Sequence, residues 1–373
     1  MKSKKTGDKG RKTEELVRLY FLKAGFYAVR GVPLRSSERD LTDIDLWLYE
    51  RSATLARRRI ILDIKDKRIP QAAERLFFVK GLAQALGVDG CGVVTTDSQM
   101  HLKEYAKKQG VLWIDGADIQ RLKASEGLQA EYRLTEEDVL AEIAKVDNAR
   151  GEVVFKSLYE LVKSSVSDRF GPGSANIALD VAHHCGVLAT GAHPGSEAAR
   201  LATRLLYLAA SIAAASLDFA SADTALRPAS ERLYAFTNFI RYGHDDDNVV
   251  GRLRLAEAIV REYAPNGAGL AQTIREKLMA AFDAVPAEAL AEIAVKLTRT
   301  DAMFVMARHL EDAAFAPALP SFDQLPTDLK SFLGAVLDFG GVDRAAFAKA
   351  SGVSSPFIAA PGVHEDGELF GQN

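Results

Sequence analysis

Two neighbouring segments, Leu41 to Glu50 and Arg57 to Lys67, constrain the fold most strongly, because both alternate apolar and charged residues. They are LTDIDLWLYE and RRRIILDIKDK, and a short polar connection joins them. Successive side chains of a strand point to opposite faces of a sheet. The period of two therefore predicts two strands that pair as a hairpin, each with one largely apolar face.

The segments around this hairpin predict the rest of an α/β domain over residues 13–124. A helix with Thr13 as its N-cap runs through EELVRLYFLKAG to Gly25, and FYAVRGVPL predicts the first strand. After the hairpin, Pro70 opens a helix that ends at Gly87. The strand CGVVTT, the helix SQMHLKEYAKKQG and the strand VLWI follow. The order αβββαβαβ predicts a mixed sheet with helices packed against it.

The remaining segments predict helices and two tails. Residues 1–12 are rich in lysine and poor in apolar residues, which predicts a flexible basic tail. From Tyr132 onward the pattern is helical, so we expect an all-α domain over residues 132–360 and a loose tail over 361–373. Ala-rich helices there are compatible with a homodimer or a protein partner as well as with an ordinary core.

The location of the protein follows from what the chain contains. The most apolar run, Leu205 to Leu217, has 13 residues; it is too short to span a bilayer and predicts a buried helix. Two cysteines cannot form a disulfide framework, and the N-terminus does not have the pattern of a secretory signal. We therefore expect a cytoplasmic protein that does not contact a membrane.

The charge is distributed unevenly along the chain. Residues 1–123 contain 25 Lys and Arg against 16 Asp and Glu, a net charge of +9, whereas the remaining residues have a net charge of −12. A basic domain in a chain of net charge −3 indicates a surface for nucleic acid or another polyanion. Charge that simply drifts from one domain to the next is the alternative.

Three charged residues of the hairpin carry the chemistry. If the strands pair, Asp45 and Asp63 lie side by side, with Lys65 two positions further along the same face. Two close carboxylates in a partly desolvated place repel each other, and a divalent cation such as Mg²⁺ relieves that repulsion. Two carboxylates, a metal ion and an ammonium suffice for metal-assisted phosphodiester hydrolysis. Taken singly, either motif is more typical of the solvated face of a sheet.

Four stretches together resemble a known family. They are TEELVRLYFLKAGF, TDIDLWLYE, IILDIKDK and GVVTTDSQMHLKEYAKKQGVLWIDG. Over residues 9–123 the chain resembles the PD-(D/E)XK nuclease superfamily and, within it, the Mrr-like restriction endonucleases. The resemblance implies a restriction-endonuclease-like fold and a DNA endonuclease that uses Mg²⁺, with Mn²⁺ as a substitute.

The resemblance also implies roles for individual residues. The metal ligands would be Asp45, Asp63 and the carbonyl of Ile64. Lys65 would be the catalytic lysine, and Glu14 would be the helix carboxylate that assists the metal site. By analogy, the biological role would be restriction of, or defence against, foreign DNA.

The chain departs from the family pattern at two places. The middle position of the (D/E)xK strand is Asp63, where Mrr-like proteins often have Gln and other branches often have Glu, so its reach is shorter. No proline precedes Asp45. Glu15 is the alternative to Glu14 for the helix carboxylate.

Several cations are candidates for contacts to the phosphate backbone. They are Arg57, Arg58, Arg59, Lys67 and Lys80, and each is also compatible with an ordinary solvated position. Two other functions stay open. One is a nucleic-acid-binding or interaction protein whose nuclease frame no longer cuts, and the other is an RNA or tRNA nuclease.

Overall fold

A computed structural model describes residues 3–36, 39–66, 71–125, 128, 133–168, 170–243 and 246–352. In this part of the chain, five strands form one mixed sheet in the order β1-β2-β3-β4-β5. The strands are Tyr27–Ser36 (β1), Arg39–Arg51 (β2), Arg57–Lys65 (β3), Gly90–Thr95 (β4) and Val111–Ile114 (β5). Strands β1, β2 and β3 are antiparallel to one another in sequence order, and β4 and β5 run parallel to β3.

Four helices accompany the sheet, three in the order that the sequence predicts and a fourth, not predicted, after the last strand. They are Ser3–Lys23 (α1), Ala72–Leu86 (α2), Met100–Lys108 (α3) and Gly116–Ala124 (α4). Helix α2 ends at Gly87, whose φ of +61° is the left-handed conformation that favours glycine. Pro70, the predicted start of this helix, lies outside the described residues. The coarse prediction of an αβββαβαβ sheet region followed by helices is confirmed.

The first helix begins ten residues earlier than predicted. Helix α1 starts at Ser3 and not at Thr13, so most of the segment predicted as a tail is helical. Thr13 does not cap the helix; its hydroxyl donates a 2.6 Å hydrogen bond to Asp66 Oδ2. The lysines that made the segment look flexible have good helix propensity, and they extend a helix already fixed by its packed C-terminal half.

The second part of the chain is helical, as predicted. Its helices are Glu136–Arg150 (α5), Phe155–Asp168 (α6), Pro172–Gly191 (α7), Glu197–Ala220 (α8), Ala229–Tyr242 (α9), Asp246–Tyr263 (α10), Gly267–Asp283 (α11), Ala287–Leu297 (α12), Ala302–Ala314 (α13), Thr327–Phe339 (α14) and Arg344–Ser351 (α15). The predicted tail over 361–373 lies outside the described residues.

The two faces of the sheet are buried against different partners. On one face, Leu46, Leu48 and Leu62 pack against α1 and α4 in an apolar cluster. The other face carries Trp47 and Tyr49, which belong to the same core as the helices of the second part. The sheet and these helices therefore share one apolar core, although the sequence pattern changes near residue 124.

Aromatic contacts join the second face to the helical part. The ring of Trp47 lies 4.5 Å from that of Phe170, and Tyr49 contacts Phe219 and Phe304 at 6.0 and 5.4 Å between ring centroids. The helices thus fix β2 from the side on which Asp45 and Asp63 lie.

Helix α8 contains the predicted buried run. Among the described residues there is one candidate membrane span, Glu197–Thr224, which comprises α8 and the turn after it. By length and composition alone, this segment could cross a membrane. However, 89% of its most apolar window is buried inside the protein. It is the central helix of the core.

Candidate functional site

Asp45 and Asp63 are neighbours across the β2–β3 hairpin. Leu46 pairs with Leu62, so the next position along the two antiparallel strands sets Asp45 opposite Asp63. The backbone N–H of Ile64 donates a 2.7 Å hydrogen bond to Asp45 Oδ2. The structure therefore brings the two predicted carboxylates together.

Lys65 lies between the two carboxylates. Its Nζ atom donates to Asp45 Oδ2 at 2.9 Å and lies 3.6 Å from Asp63 Oδ1. The lysine side chain is 24% exposed, whereas those of Asp45 and Asp63 are 16% and 6% exposed. The three side chains form a compact cluster, hereafter the Asp–Asp–Lys site, with the ammonium on its more accessible side.

Arg75 belongs to this cluster, although the sequence analysis did not identify it. Its Nε donates to Asp63 Oδ2 at 2.7 Å, and its second guanidinium nitrogen donates to Asp63 Oδ1. The guanidinium also lies 4.2 Å above the ring of Phe78. Arg75 sits in the first turn of α2 and reaches the site only because α2 packs back onto β3 and β4. A possible signal was its position just after the (D/E)xK strand, but spacing alone did not specify its partner.

The electrostatics of the site follow from burial. Burial raises the pKa of Asp45, and the charge of Asp63 raises it further, while Lys65 and the Ile64 N–H act in the opposite direction. The hydrogen bonds to Asp63 raise the pKa of Arg75. Two cations, Lys65 and Arg75, therefore face two carboxylates, which neutralises the cluster formally.

Glu14 and Glu15 have different environments. Glu14 accepts a 2.9 Å hydrogen bond from Arg30 Nε, and burial raises its pKa. Asp45 and Lys65 also act on the Glu14 carboxylate, the first raising and the second lowering its pKa. Glu15 is more deeply buried and pairs with arginines of the interior. Glu14 therefore lies within electrostatic range of the Asp–Asp–Lys site.

The donor set is compatible with a divalent cation, on one condition. Two carboxylates, with waters and a carbonyl such as that of Ile64, supply the oxygen ligands that Mg²⁺ prefers. Among the described residues, however, there is no group of three or more His, Cys, Asp or Glu side chains positioned to hold a metal ion. Arg75 occupies both oxygens of Asp63, so a metal ion shared by Asp45 and Asp63 requires this arginine to move.

The three arginines at the start of β3 do not form a common surface. The prediction that Arg57 contacts phosphate is wrong: its side chain is 3% exposed and lies 3.2 Å from the buried carboxylate of Asp218. Strand alternation and packing against α8 turn this arginine inward. Arg58 is 55% exposed and lies 3.8 Å from Glu50. It remains available to a polyanion.

Arg59 is partly tied to the protein. Its side chain is 22% exposed, contacts Asp89 at 3.5 Å and lies over the ring of Phe219. Asp63 lies four to six residues further along β3 than these arginines, about 13–20 Å along an extended strand. These arginines therefore cannot contact the same phosphate as the Asp–Asp–Lys site.

The two remaining candidate cations lie after β3. The Nζ atom of Lys80 donates to the backbone oxygen and Oε1 of Gln109 at 3.2 and 3.0 Å, so it ties α2 to the end of α3. This contact gives Lys80 a structural role. Lys67 lies outside the described residues.

Comparisons with family models, with curated proteins and with solved structures found no match to this chain. Its function is therefore inferred from the residues themselves. The cluster of Asp45, Asp63, Lys65 and Arg75 is the feature with the clearest chemistry.

Proposed function

We propose that this protein is a metal-dependent phosphodiesterase of the PD-(D/E)XK type that cuts DNA, with Mg²⁺ or Mn²⁺ as its cofactor. The observation that supports the proposal best is the position of Lys65 Nζ, 2.9 Å from Asp45 and 3.6 Å from Asp63, where the pairing of β2 with β3 ends. An ammonium beside two largely buried carboxylates is an arrangement that suits phosphodiester hydrolysis at a metal centre.

Each side chain has a role in this proposal. Asp45 and Asp63, with the Ile64 carbonyl, would hold the cation, which supplies Lewis acidity toward the phosphate and the attacking water. Lys65 would orient that water and offset the negative charge that develops on the phosphate in the transition state. Glu14 would assist from α1, where its carboxylate interacts electrostatically with Asp45 and Lys65.

The charge of the chain supports DNA as the substrate. Residues 1–123 carry a net charge of +9, and a polyanion is the partner that such a domain attracts. A role in restriction or defence, in the cytoplasm, rests on family resemblance alone. A dimer or a protein partner bound through the helical part stays a prediction.

A cleavage assay tests the proposal. Supercoiled plasmid, single-stranded DNA and an RNA of matched sequence would be incubated with the full chain in Mg²⁺, in Mn²⁺ and in EDTA. We expect metal-dependent cutting of DNA that falls at least about 100-fold in Asp63→Asn and in Lys65→Met. Arg344→Ala, which removes an exposed arginine from the helical part, is the control. Equal product from wild type and the two site variants would reject the assigned site, and preferential cutting of RNA would favour an RNA nuclease.

One observation favours a second function, a nucleic-acid-binding protein that no longer cuts. Arg75 holds both oxygens of Asp63, and an arginine fixed there replaces the metal ion with a permanent internal cation. The two functions differ in metal binding. A chain that binds DNA but neither binds Mn²⁺ nor cuts, even after Arg75→Ala, would support the second function.

A further inference from the structure

Three aromatic rings are exposed on α2 and α3. Phe77, Phe78 and Tyr105 are 61%, 39% and 42% exposed, and we call them the aromatic patch. The rings of Phe77 and Tyr105 lie 6.3 Å apart across the two helices. Among the described residues 3–125, Tyr20 is the other large aromatic residue with comparable exposure. Rings that contribute so little to the core are typical of a binding surface.

The aromatic patch adjoins the Asp–Asp–Lys site. The ring of Phe78 lies 4.2 Å below the guanidinium of Arg75, and the same guanidinium holds Asp63. Helix α2 follows β3, so its first turns lie at the end of the strand that carries Asp63 and Lys65. The aromatic patch therefore begins beside the guanidinium that holds Asp63.

The charge around the patch matches a polyanion. Helices α2 and α3 carry five lysines and arginines against two glutamates. Lys107 and Lys108 at the end of α3 are exposed. A ligand that suits this surface combines negative charge with flat apolar faces, and a nucleotide chain has both.

Stacking on the aromatic patch requires bases whose faces are free, which favours single-stranded over double-stranded nucleic acid. In a duplex the base faces are stacked on one another and are closed to protein rings, whereas unpaired bases can stack on aromatic side chains. We propose that the aromatic patch stacks unpaired bases of a DNA strand next to the phosphate in the Asp–Asp–Lys site. This inference rests on the proposed function, and it makes single-stranded DNA, or an unpaired segment within a duplex, the substrate.

Binding in EDTA tests this inference without requiring cleavage. Fluorescence anisotropy would compare the full chain and its Phe77→Ala variant on a labelled single strand, a blunt duplex and an abasic strand with the same number of phosphates. Loss of one stacked base predicts a roughly 5- to 150-fold weaker affinity of the variant for the single strand. Affinity for the duplex and for the abasic strand should not change.

Two controls separate stacking from other effects. Tyr20→Ala removes a ring that is 40% exposed from α1 and should leave all three affinities unchanged. Phe77→Leu keeps an apolar side chain without a ring and should behave like Phe77→Ala. Circular dichroism and urea unfolding would establish that each variant is folded.

The possible results distinguish the two proposals. The patch does not stack bases if Phe77→Ala binds the single strand as tightly as wild type, or if its affinity for the duplex falls as much as its affinity for the single strand. Either result would hold whether or not the chain cuts DNA. If Phe77→Ala loses affinity for the single strand only, and no metal ion supports cleavage, base stacking on the patch is confirmed and the hydrolytic proposal fails.

Discussion

Replacing Arg75 with alanine removes the guanidinium that holds both oxygens of Asp63. The Asp63 side chain is 6% exposed, and breaking a buried ion pair from one side costs about 3–5 kcal/mol because a charge is left without its partner. Arg75 itself is 26% exposed, and Lys65 remains 3.6 Å from Asp63, so both solvent and a second cation reduce the loss. We expect a decrease of about 2 kcal/mol in the free energy of unfolding, measured by urea denaturation in EDTA.

The same substitution should strengthen metal binding. In the wild-type chain a divalent ion would have to compete with Arg75 for Asp63, whereas in the variant no arginine occupies those oxygens. We expect Mn²⁺ to bind Arg75→Ala at least about tenfold more tightly, a difference of about 1.4 kcal/mol, by isothermal titration calorimetry. Mn²⁺ at 100 times its Kd should then restore about 2.7 kcal/mol of stability to the variant.

Two further variants control this experiment. Arg75→Lys keeps the charge but loses the two-pronged contact, so its stability and Mn²⁺ affinity should lie between those of wild type and Arg75→Ala. Arg58→Ala removes an exposed arginine from the far end of β3 and should change neither quantity. Unchanged stability and unchanged Mn²⁺ affinity in Arg75→Ala would refute the idea that this arginine competes with the metal ion.

Three other predictions follow from buried charges and from the shared core. Because the pKa of Asp45 is raised above its ordinary value of 3.8, its contribution to stability is fully present below that value and is lost as the pH rises through the raised pKa. As the pH rises through this pKa, urea unfolding should therefore show Asp45→Asn becoming more stable relative to wild type. The Mn²⁺ affinity of wild type should increase over the same pH range. A stability difference between variant and wild type that does not change with pH would contradict this prediction. Arg57→Ala should lower the free energy of unfolding by about 3 kcal/mol, because it leaves the buried Asp218 with one partner fewer. Arg58→Ala should change it by no more than about 0.5 kcal/mol. Equal losses in the two variants would contradict the burial of Arg57 against Asp218. A fragment of residues 1–125 should bind a hydrophobic dye and unfold without cooperativity, because one face of its sheet is buried by the helical part; a cooperative urea transition of the fragment would show two separate cores.

The hairpin was predictable because its information is local. Alternation along β2 and β3 places Asp45, Asp63 and Lys65 on one face, and a hairpin connection leaves little freedom in how the two strands pair. The structure has this arrangement, with Leu46 opposite Leu62. The same local reasoning located β5 and the end of α2 at Gly87.

Contacts distant in sequence were not predictable in this way. Arg57 and Arg58 are adjacent and chemically identical, yet only one meets Asp218, which is 161 residues away in the chain. Arg75 finds Asp63 only through the packing of α2. The early start of α1 was missed because composition indicated a flexible tail, while helix propensity and the packed half of the helix favoured order.

The central claim is that Asp45 and Asp63 share a divalent ion beside Lys65. Crystals of the full chain grown with Mn²⁺ and measured at the manganese absorption edge would test it most directly. We predict one anomalous peak at about 2.0–2.6 Å from a carboxylate oxygen of each aspartate, with Arg75 withdrawn from Asp63. The claim would be contradicted if crystals with saturating Mn²⁺ showed no anomalous peak between the aspartates and Arg75 still contacted both oxygens of Asp63.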